Sequence, residues 1–269
     1  MNDSRPIGVF DSGVGGLTVV RALEELLPHE KLVYLGDTAR LPYGNKSAET
    51  VTRYSREIVQ FLTSRGVKLV VVACNTASAL ALETLRAETA VPVLGVIEPG
   101  VQAALAATGS GRVGIIGTTG TIGSGAYQEL MRRQRPDLAI TARATPLLVP
   151  LIEENWLDHE ATRSVLREYL QPMEAARIDT LVLACTHYPL LKPALSALLG
   201  PGRVLVDSAE ACAASVKRHL DRHGLHAPSD AAGATALCLT DLPAHFRDMA
   251  GRFLKRPAAA PELVRLEPA

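Results

Sequence analysis

The sequence predicts an α/β protein of two similar lobes, each a doubly wound parallel sheet, with the functional site in the cleft between them. Short apolar runs rich in β-branched residues alternate with longer helical patterns along the chain, and three strand motifs recur in the same order in a second half. Such alternation marks parallel sheets covered by helices, whose ligands bind beyond the C-terminal ends of the strands.

Residues 7–10 open the pattern as a buried strand. Asp11-Ser-Gly-Val-Gly-Gly16 follows, then a helix whose inner face carries Leu17, Val20, Leu23 and Leu27. A second strand is expected at 31–35. Ser47 supplies a helix-start signal, Val51, Tyr54, Ile58, Phe61 and Leu62 make one helical face, and Gly66 offers a stop. Strands follow at 69–73 and 93–97, with a helical pattern over 77–85 between them. In the second half, strands are expected at 113–116, 180–184 and 204–206. Beyond Asp207 come a helical stretch, 209–223, and a late strand at 235–239. That strand needs a sheet to join, and the first lobe is the natural choice because chain ends often lie close together. The tail from Arg256, containing Pro-Ala-Ala-Ala-Pro, reads as loose.

The duplication rests on three matches. Ile7-Gly-Val-Phe-Asp-Ser12 resembles Val113-Gly-Ile-Ile-Gly-Thr118, 106 positions later. Leu69-Val-Val-Val-Ala-Cys74-Asn-Thr76 resembles Leu181-Val-Leu-Ala-Cys185-Thr-His187, with the cysteines 111 positions apart. Leu94-Gly-Val-Ile-Glu98 resembles Val204-Leu-Val-Asp-Ser208, 110 positions later. The halves are therefore about 7–97 and 98–206. With the C-terminal return, the first lobe takes residues 1–97 plus 208–269 and the second takes 98–207.

Composition narrows the function. Of 269 residues, 47% are hydrophobic and 21% charged, ordinary for a globular protein with a sizeable core. The 28 Lys and Arg balance the 28 Asp and Glu, so no overall field recruits nucleic acid or an anionic membrane. No stretch approaches the roughly 18 apolar residues of a membrane span, and the N-terminus lacks the apolar segment of a signal peptide. A cytoplasmic location is expected. Four cysteines, at 74, 185, 212 and 238, are too sparse for a disulfide scaffold and include no CxxC pair. Apolar faces that bury lobes and those that bury subunits look alike in sequence, so a homodimer is compatible with the chain.

The chemistry concentrates where the strands end. Cys74 precedes Asn75, Thr76 and a helical pattern, a junction where free backbone N–H groups and the positive end of a helix dipole favour a thiolate. Cys185, with Thr186, His187 and then Pro189, has the same placement, and His187 is a candidate either to ease deprotonation of the thiol or to relay its proton. A lone strand cysteine reads as a small buried hydrophobe, but duplication with the same polar followers argues for a pair of acid/base groups facing one substrate from opposite sides. Cys212 and Cys238 keep the bland reading. Cys-x-His on a strand end is not a structural zinc pattern, and no fourth ligand is evident, so no metal is expected. The 11–16 turn brings N–H groups to an anion, although Asp11 would repel phosphate and suits a buried base or an ammonium partner better. Gly117-Thr-Thr-Gly-Thr121 is its duplicate, whose hydroxyls suit a second carboxylate, although helix capping explains them nearly as well. Pro42-Tyr43-Gly44 reads either as a loop that closes over a ligand or as a plain turn. Glu153 and Glu154, before Asn155-Trp156, read as a solvated helix start.

Taken together, Asp11-Ser-Gly-Val-Gly-Gly16, Pro42-Tyr-Gly44, Cys74-Asn-Thr-Ala77, Gly117-Thr-Thr-Gly-Thr121 and Cys185-Thr-His187 resemble the glutamate racemases, cofactor-independent enzymes of bacterial cell-wall synthesis. The resemblance runs in order from Ile7 to about Asp207, and its motifs are specific in combination. It implies interconversion of L- and D-glutamate by two cysteines and no cofactor, supplying the D-isomer for peptidoglycan. On this reading Cys74 acts on D-glutamate with help from Asp11, and Cys185 acts on L-glutamate with help from His187. The resemblance further implies substrate contacts at Asp11, Ser12, Tyr43, Gly44, Asn75, Thr76, Thr118, Thr121, Thr186 and His187, and a catalytic acidic position at Glu153. Asn155 stands where the family pattern leads one to expect glycine. Competing readings are a related racemase acting on aspartate or a hydantoin, a non-catalytic amino-acid-binding protein, and a nucleotide-binding α/β protein; the 11–16 turn favours glutamate.

Overall fold

The computed structural model describes residues 2–267; residue 1 and residues 268–269, which end the first lobe as divided above, lie outside the described residues. The first half runs β1 (Ile7–Asp11), α1 (Leu17–Leu26), β2 (Lys31–Gly36), α2 (Ala48–Ser64), β3 (Leu69–Val72), α3 (Asn75–Leu80), α4 (Leu82–Glu88) and β4 (Val93–Gly95). The second runs α5 (Ile97–Ala107), β5 (Arg112–Gly117), α6 (Thr119–Gly123), α7 (Ala126–Gln134), β6 (Ala139–Ala144), α8 (Leu148–Glu153), α9 (Glu160–Ala175), β7 (Thr180–Ala184), α10 (Lys192–Leu199) and β8 (Val204–Asp207). Then come α11 (Ser208–His223), β9 (Ala234–Leu239), α12 (Phe246–Leu254) and β10 (Glu262–Leu263).

Two sheets result, ordered β10-β9-β2-β1-β3-β4 and β6-β5-β7-β8, and every strand pair is parallel. The order β2-β1-β3-β4 repeats as β6-β5-β7-β8, so the three sequence matches fall on topologically equivalent strands. In both sheets the chain reverses direction beside the first strand. This switch point, where α/β folds open a crevice at the strand C-termini, is where Asp11 and Cys74 end one sheet and Thr118 and Cys185 the other.

Several expectations are corrected. The tail beyond Arg256 is not wholly loose: Glu262–Leu263 pairs in parallel with Cys238 and Leu239. Strand β6 went unrecognised because Ala139-Ile-Thr-Ala-Arg-Ala144 has few large apolar residues and lies half-exposed at a sheet edge. The helical pattern over 77–85 is two helices, parted at Ala81 (φ −122°, ψ −18°). The strand expected at 93–97 stops at Gly95, since Ile97 already begins α5.

Three apolar clusters hold the layers. One face of the first sheet packs under α2 and α4, with Phe10, Val51, Ile58, Val70 and Leu85 inside. One face of the second sheet packs under α5 and α7, with Val101, Val113, Tyr127 and Val182. The remaining faces share a single cluster that reaches from Val9 and Val71 to Leu181 and Leu183. Helix α11, lying against both α1 and α5, fills the space between them with Cys212, Val216 and Leu220. Each such buried side chain contributes about 1.5–3 kcal/mol of transfer free energy, so the two sheets are joined by core as well as by chain. Among the described residues no helix is long and apolar enough to cross a membrane.

Candidate active site

A cleft of about 300 Å³ opens between the C-terminal ends of the two sheets, and Cys74 and Cys185 both line it. Both thiols are free and 5% exposed. Ser12, Tyr43, Gly44, Asn75 and Thr76 line it from the first half; Thr118, Glu153, Thr186 and His187 line it from the second. Asp11 and Thr121, also expected at the site, stand directly behind this wall.

The two thiols meet different surroundings. Cys74 caps α3, its sulfur accepting the Ala77 N–H at 3.4 Å. Burial pushes its pKa up to about 12, with the Asp11 charge adding to the rise and hydrogen bonds from Ala77 and Ser12 opposing it. Cys185 does not cap an α-helix. A tight 3₁₀ turn, Tyr188–Leu191, follows it, correcting the expected equivalence. Its sulfur lies 3.9 Å from His187 Nδ1, and His187 Nε2 lies 3.0 Å from Glu153 Oε1. Burial alone would lower the His187 pKa, but hydrogen bonds to Cys185 and Glu153, reinforced by their charges, outweigh it and hold the imidazole at about 10. Glu153 is therefore no free helix start. It ends α8 with its carboxylate on His187.

Asp11 is buried and accepts the Gly13 N–H at 2.9 Å; Thr186 Oγ1 lies 3.4 Å from its other oxygen. Burial raises its pKa, against the His187 charge and these hydrogen bonds. The glycine-rich turn thus spends an N–H on Asp11 itself, and its glycines answer to packing. A Cβ on Gly15 would collide with Thr186 Oγ1 and His187 Nδ1, and one on Gly16 would sit 2.5 Å from the Asp11 Cβ. Missing side chains let the Cys185 loop close on the first lobe, and Thr18 Oγ1 donates to the Thr186 carbonyl at 3.1 Å.

On the opposite wall Thr76, Thr118 and Thr121 form a triangle of hydroxyls: 2.9 Å from Thr76 to Thr118, 3.2 Å from Thr76 to Thr121 and 3.0 Å between the last two. Thr118 also caps α6 by accepting the Thr121 N–H at 3.2 Å, so capping and cleft-lining coexist. Tyr43 lines the cleft as well. It is buried in a 3₁₀ turn, and its hydroxyl donates to buried Asp37, which Arg40 holds at 2.8 Å and Thr240 at 2.9 Å. Asn75 bridges the halves, accepting from Tyr127 Oη at 2.7 Å and donating to Ser208 Oγ at 3.4 Å. Asn155 has φ 61°. It adopts the left-handed conformation that glycine favours and that asparagine tolerates best among other residues, so the turn after Glu153 survives the departure from pattern.

Sequence reasoning missed Asp37, Tyr127 and Ser208, which act on the site from behind, and Tyr188, which lines it. Only Tyr188 carried a signal, standing next to His187. Among the described residues, no group of three His, Cys, Asp or Glu is placed to hold a metal ion.

A model of the Asp/Glu/Hydantoin racemase family matches residues 7–216. The chain belongs to that family. Among relatives, this racemase is 52% identical over 250 residues to a glutamate racemase of Geobacter metallireducens, covering 93% of each chain. It superposes on the glutamate racemase of Francisella tularensis in complex with D-glutamate with a TM-score of 0.92, at 34% identity, covering 98% of this chain and 99% of the other. The glutamate racemase of Thermus thermophilus in complex with β-chloro-D-alanine is 46% identical, with a TM-score of 0.86 and 98% of each chain covered.

Proposed function

We propose that this racemase interconverts L- and D-glutamate by proton transfer between Cys74 and Cys185, without a cofactor, in the cytoplasm, and that the D-glutamate feeds peptidoglycan synthesis. The observation that carries the reading is that two free thiols, each at the end of a strand in a different sheet, open onto one cleft of about 300 Å³. The names of the Geobacter, Francisella and Thermus relatives support glutamate as the substrate.

From L-glutamate, the Cys185 thiolate takes the α-proton while the Cys74 thiol gives its proton to the opposite face of Cα. One C–H bond breaks, another forms, and negative charge passes from one sulfur to the other. The elevated Cys74 pKa favours the protonated partner that this direction requires. His187, 3.9 Å from the Cys185 sulfur and held on its other nitrogen by Glu153, is the group that assists Cys185. In the reverse direction Cys74 abstracts the proton, and Asp11 behind it serves as the assisting group. Hydroxyls of Ser12, Thr76, Thr118 and Thr186, the amide of Asn75 and the Tyr43-Gly44 turn hold the carboxylates, with Thr121 supporting Thr76 and Thr118 from behind. Donors fixed in a water-poor cleft stabilise the developing carbanion. The active lobes are residues 1–97 plus 208–269 and residues 98–207.

Proton NMR of L-glutamate with the purified protein in D2O tests the reading. The α-proton signal is expected to vanish and deuterated D-glutamate to accumulate, with Cys74→Ala and Cys185→Ala each abolishing racemisation. An unchanged α-proton in the presence of correctly folded protein overturns it.

A further inference from the structure

We propose that Arg252 is a positioning residue for the Cys185 half of the site, gripping the end of α8 from α12 and so fixing Glu153 on His187. The inference rests on the reading that His187 and Glu153 serve Cys185, and adds to it a residue from the far C-terminal segment.

Helix α8 is six residues long and ends at Glu153. The last carbonyls of a helix lack intrahelical partners. Here Pro150, Leu151 and Ile152 accept the N–H groups of Glu154, Trp156 and Asn155 at 3.0, 2.8 and 3.0 Å. The Glu153 carbonyl is taken instead by Arg252 Nη2 at 3.0 Å, while Nη1 lies 3.5 Å from the Ile152 carbonyl. The planar guanidinium thus spans two successive carbonyls with a fork of fixed geometry. A cation at a helix C-terminus is also favoured by the dipole.

The next residue along α12 reaches the other member of the pair. Phe253 is buried and meets the His187 ring edge-to-face, at a centroid distance of 5.1 Å and an interplanar angle of 84°. One turn of α12 therefore sets both the backbone that carries Glu153 and the plane of the imidazole that Glu153 must meet. Helix α12 is itself seated on α1 and follows β9 of the six-stranded sheet, so a segment of the first lobe aims an acid of the second. The charged and titratable groups facing His187 are Cys185 from the end of β7, Glu153 from α8 and Asp11 from the end of β1; α12 presents the uncharged Phe253 to it.

Histidine-labelled full-length protein provides the test, with the His187 imidazole followed by NMR through a pH titration and kcat and KM measured alongside. In the wild type the imidazolium is expected to persist to about pH 10. Glu153→Gln is expected to lower that midpoint and kcat. Arg252→Met is expected to lower both in the same direction, with kcat falling about tenfold to a hundredfold, as for a displaced catalytic group, and KM little changed. Arg252→Lys, which keeps the charge and one donor, should lie in between. A residue that merely stabilises the fold would lower the melting temperature and leave the His187 midpoint in place. If Arg252→Met does not fold, Arg252→Gln is judged by the same two readouts. Wild-type titration and kcat in a folded Arg252 variant, beside a damaged Glu153→Gln, overturn the positioning role alone. An undamaged Glu153→Gln overturns the underlying reading of the pair, and the proposal with it.

Discussion

Cys74 and Cys185 end equivalent strands, yet one sulfur meets a backbone N–H and the other an imidazole. The two thiols therefore sit in unlike surroundings: burial and the Asp11 charge keep a proton on Cys74, while an imidazole stands beside Cys185. The His187–Glu153 pair also links stability to pH. A histidine whose folded pKa is raised from 6.5 to about 10 lends stability in full below about pH 6.5 and loses it as pH climbs through about 10. Glu153→Gln removes one of the groups that raise it. The stability gap between wild type and variant, from urea unfolding, should therefore be widest near pH 6 and close towards pH 10. A gap that widened with rising pH would contradict the ion pair.

Strand ends and the turns after them carry the site, and the sequence revealed most of them because β1, β3, β5 and β7 are apolar runs stopped by a polar change. Edge strands were less legible. β6 lacks large apolar residues, and β10 is two residues long, held by pairing that no local pattern announces. The partners behind the wall were hidden for a different reason. Asp37 reaches Tyr43 from the preceding loop, Tyr127 and Ser208 reach Asn75 from 52 and 133 residues away, and burial of a polar side chain leaves no periodic trace. The turn closing α8 is a case where pattern and conformation part company: the pattern asks for glycine, and Asn155 supplies the same φ of 61°. Asn155→Gly should leave stability within about 0.5 kcal/mol, whereas Asn155→Val should cost about 1–3 kcal/mol, the strain of a β-branched residue held left-handed. Because this turn follows Glu153, kcat should fall in the valine variant as well. Thermal unfolding and steady-state rates of the two variants check both statements.

The duplicated sheets put the chemistry at one end of the strands and leave the other end to stability. Lys68, just before β3, is buried there, and its ammonium donates to the Asp3 carbonyl at 2.7 Å, to the Leu225 carbonyl at 2.7 Å and to Glu30 Oε2 at 2.6 Å. Glu30 Oε1 in turn accepts the Ala227 N–H at 2.8 Å. One buried cation thus ties the N-terminal segment and the connection from α11 to β9 onto the bottom of the six-stranded sheet, which is how the returning C-terminal segment is fastened to the lobe it completes. Desolvating such a pair consumes much of its attraction, so its presence alone is weak evidence of stabilisation, but removing one partner leaves a buried charge uncompensated. Lys68→Met should therefore cost about 3–5 kcal/mol, read from the urea midpoint, and Lys68→Met with Glu30→Gln should recover part of that loss. Since both residues precede their strands while the cysteines follow theirs, kcat of the folded single variant should stay at the wild-type value. A drop in kcat at unchanged stability would mean that the two ends of the sheet are coupled, and that the division of labour along the strands is wrong.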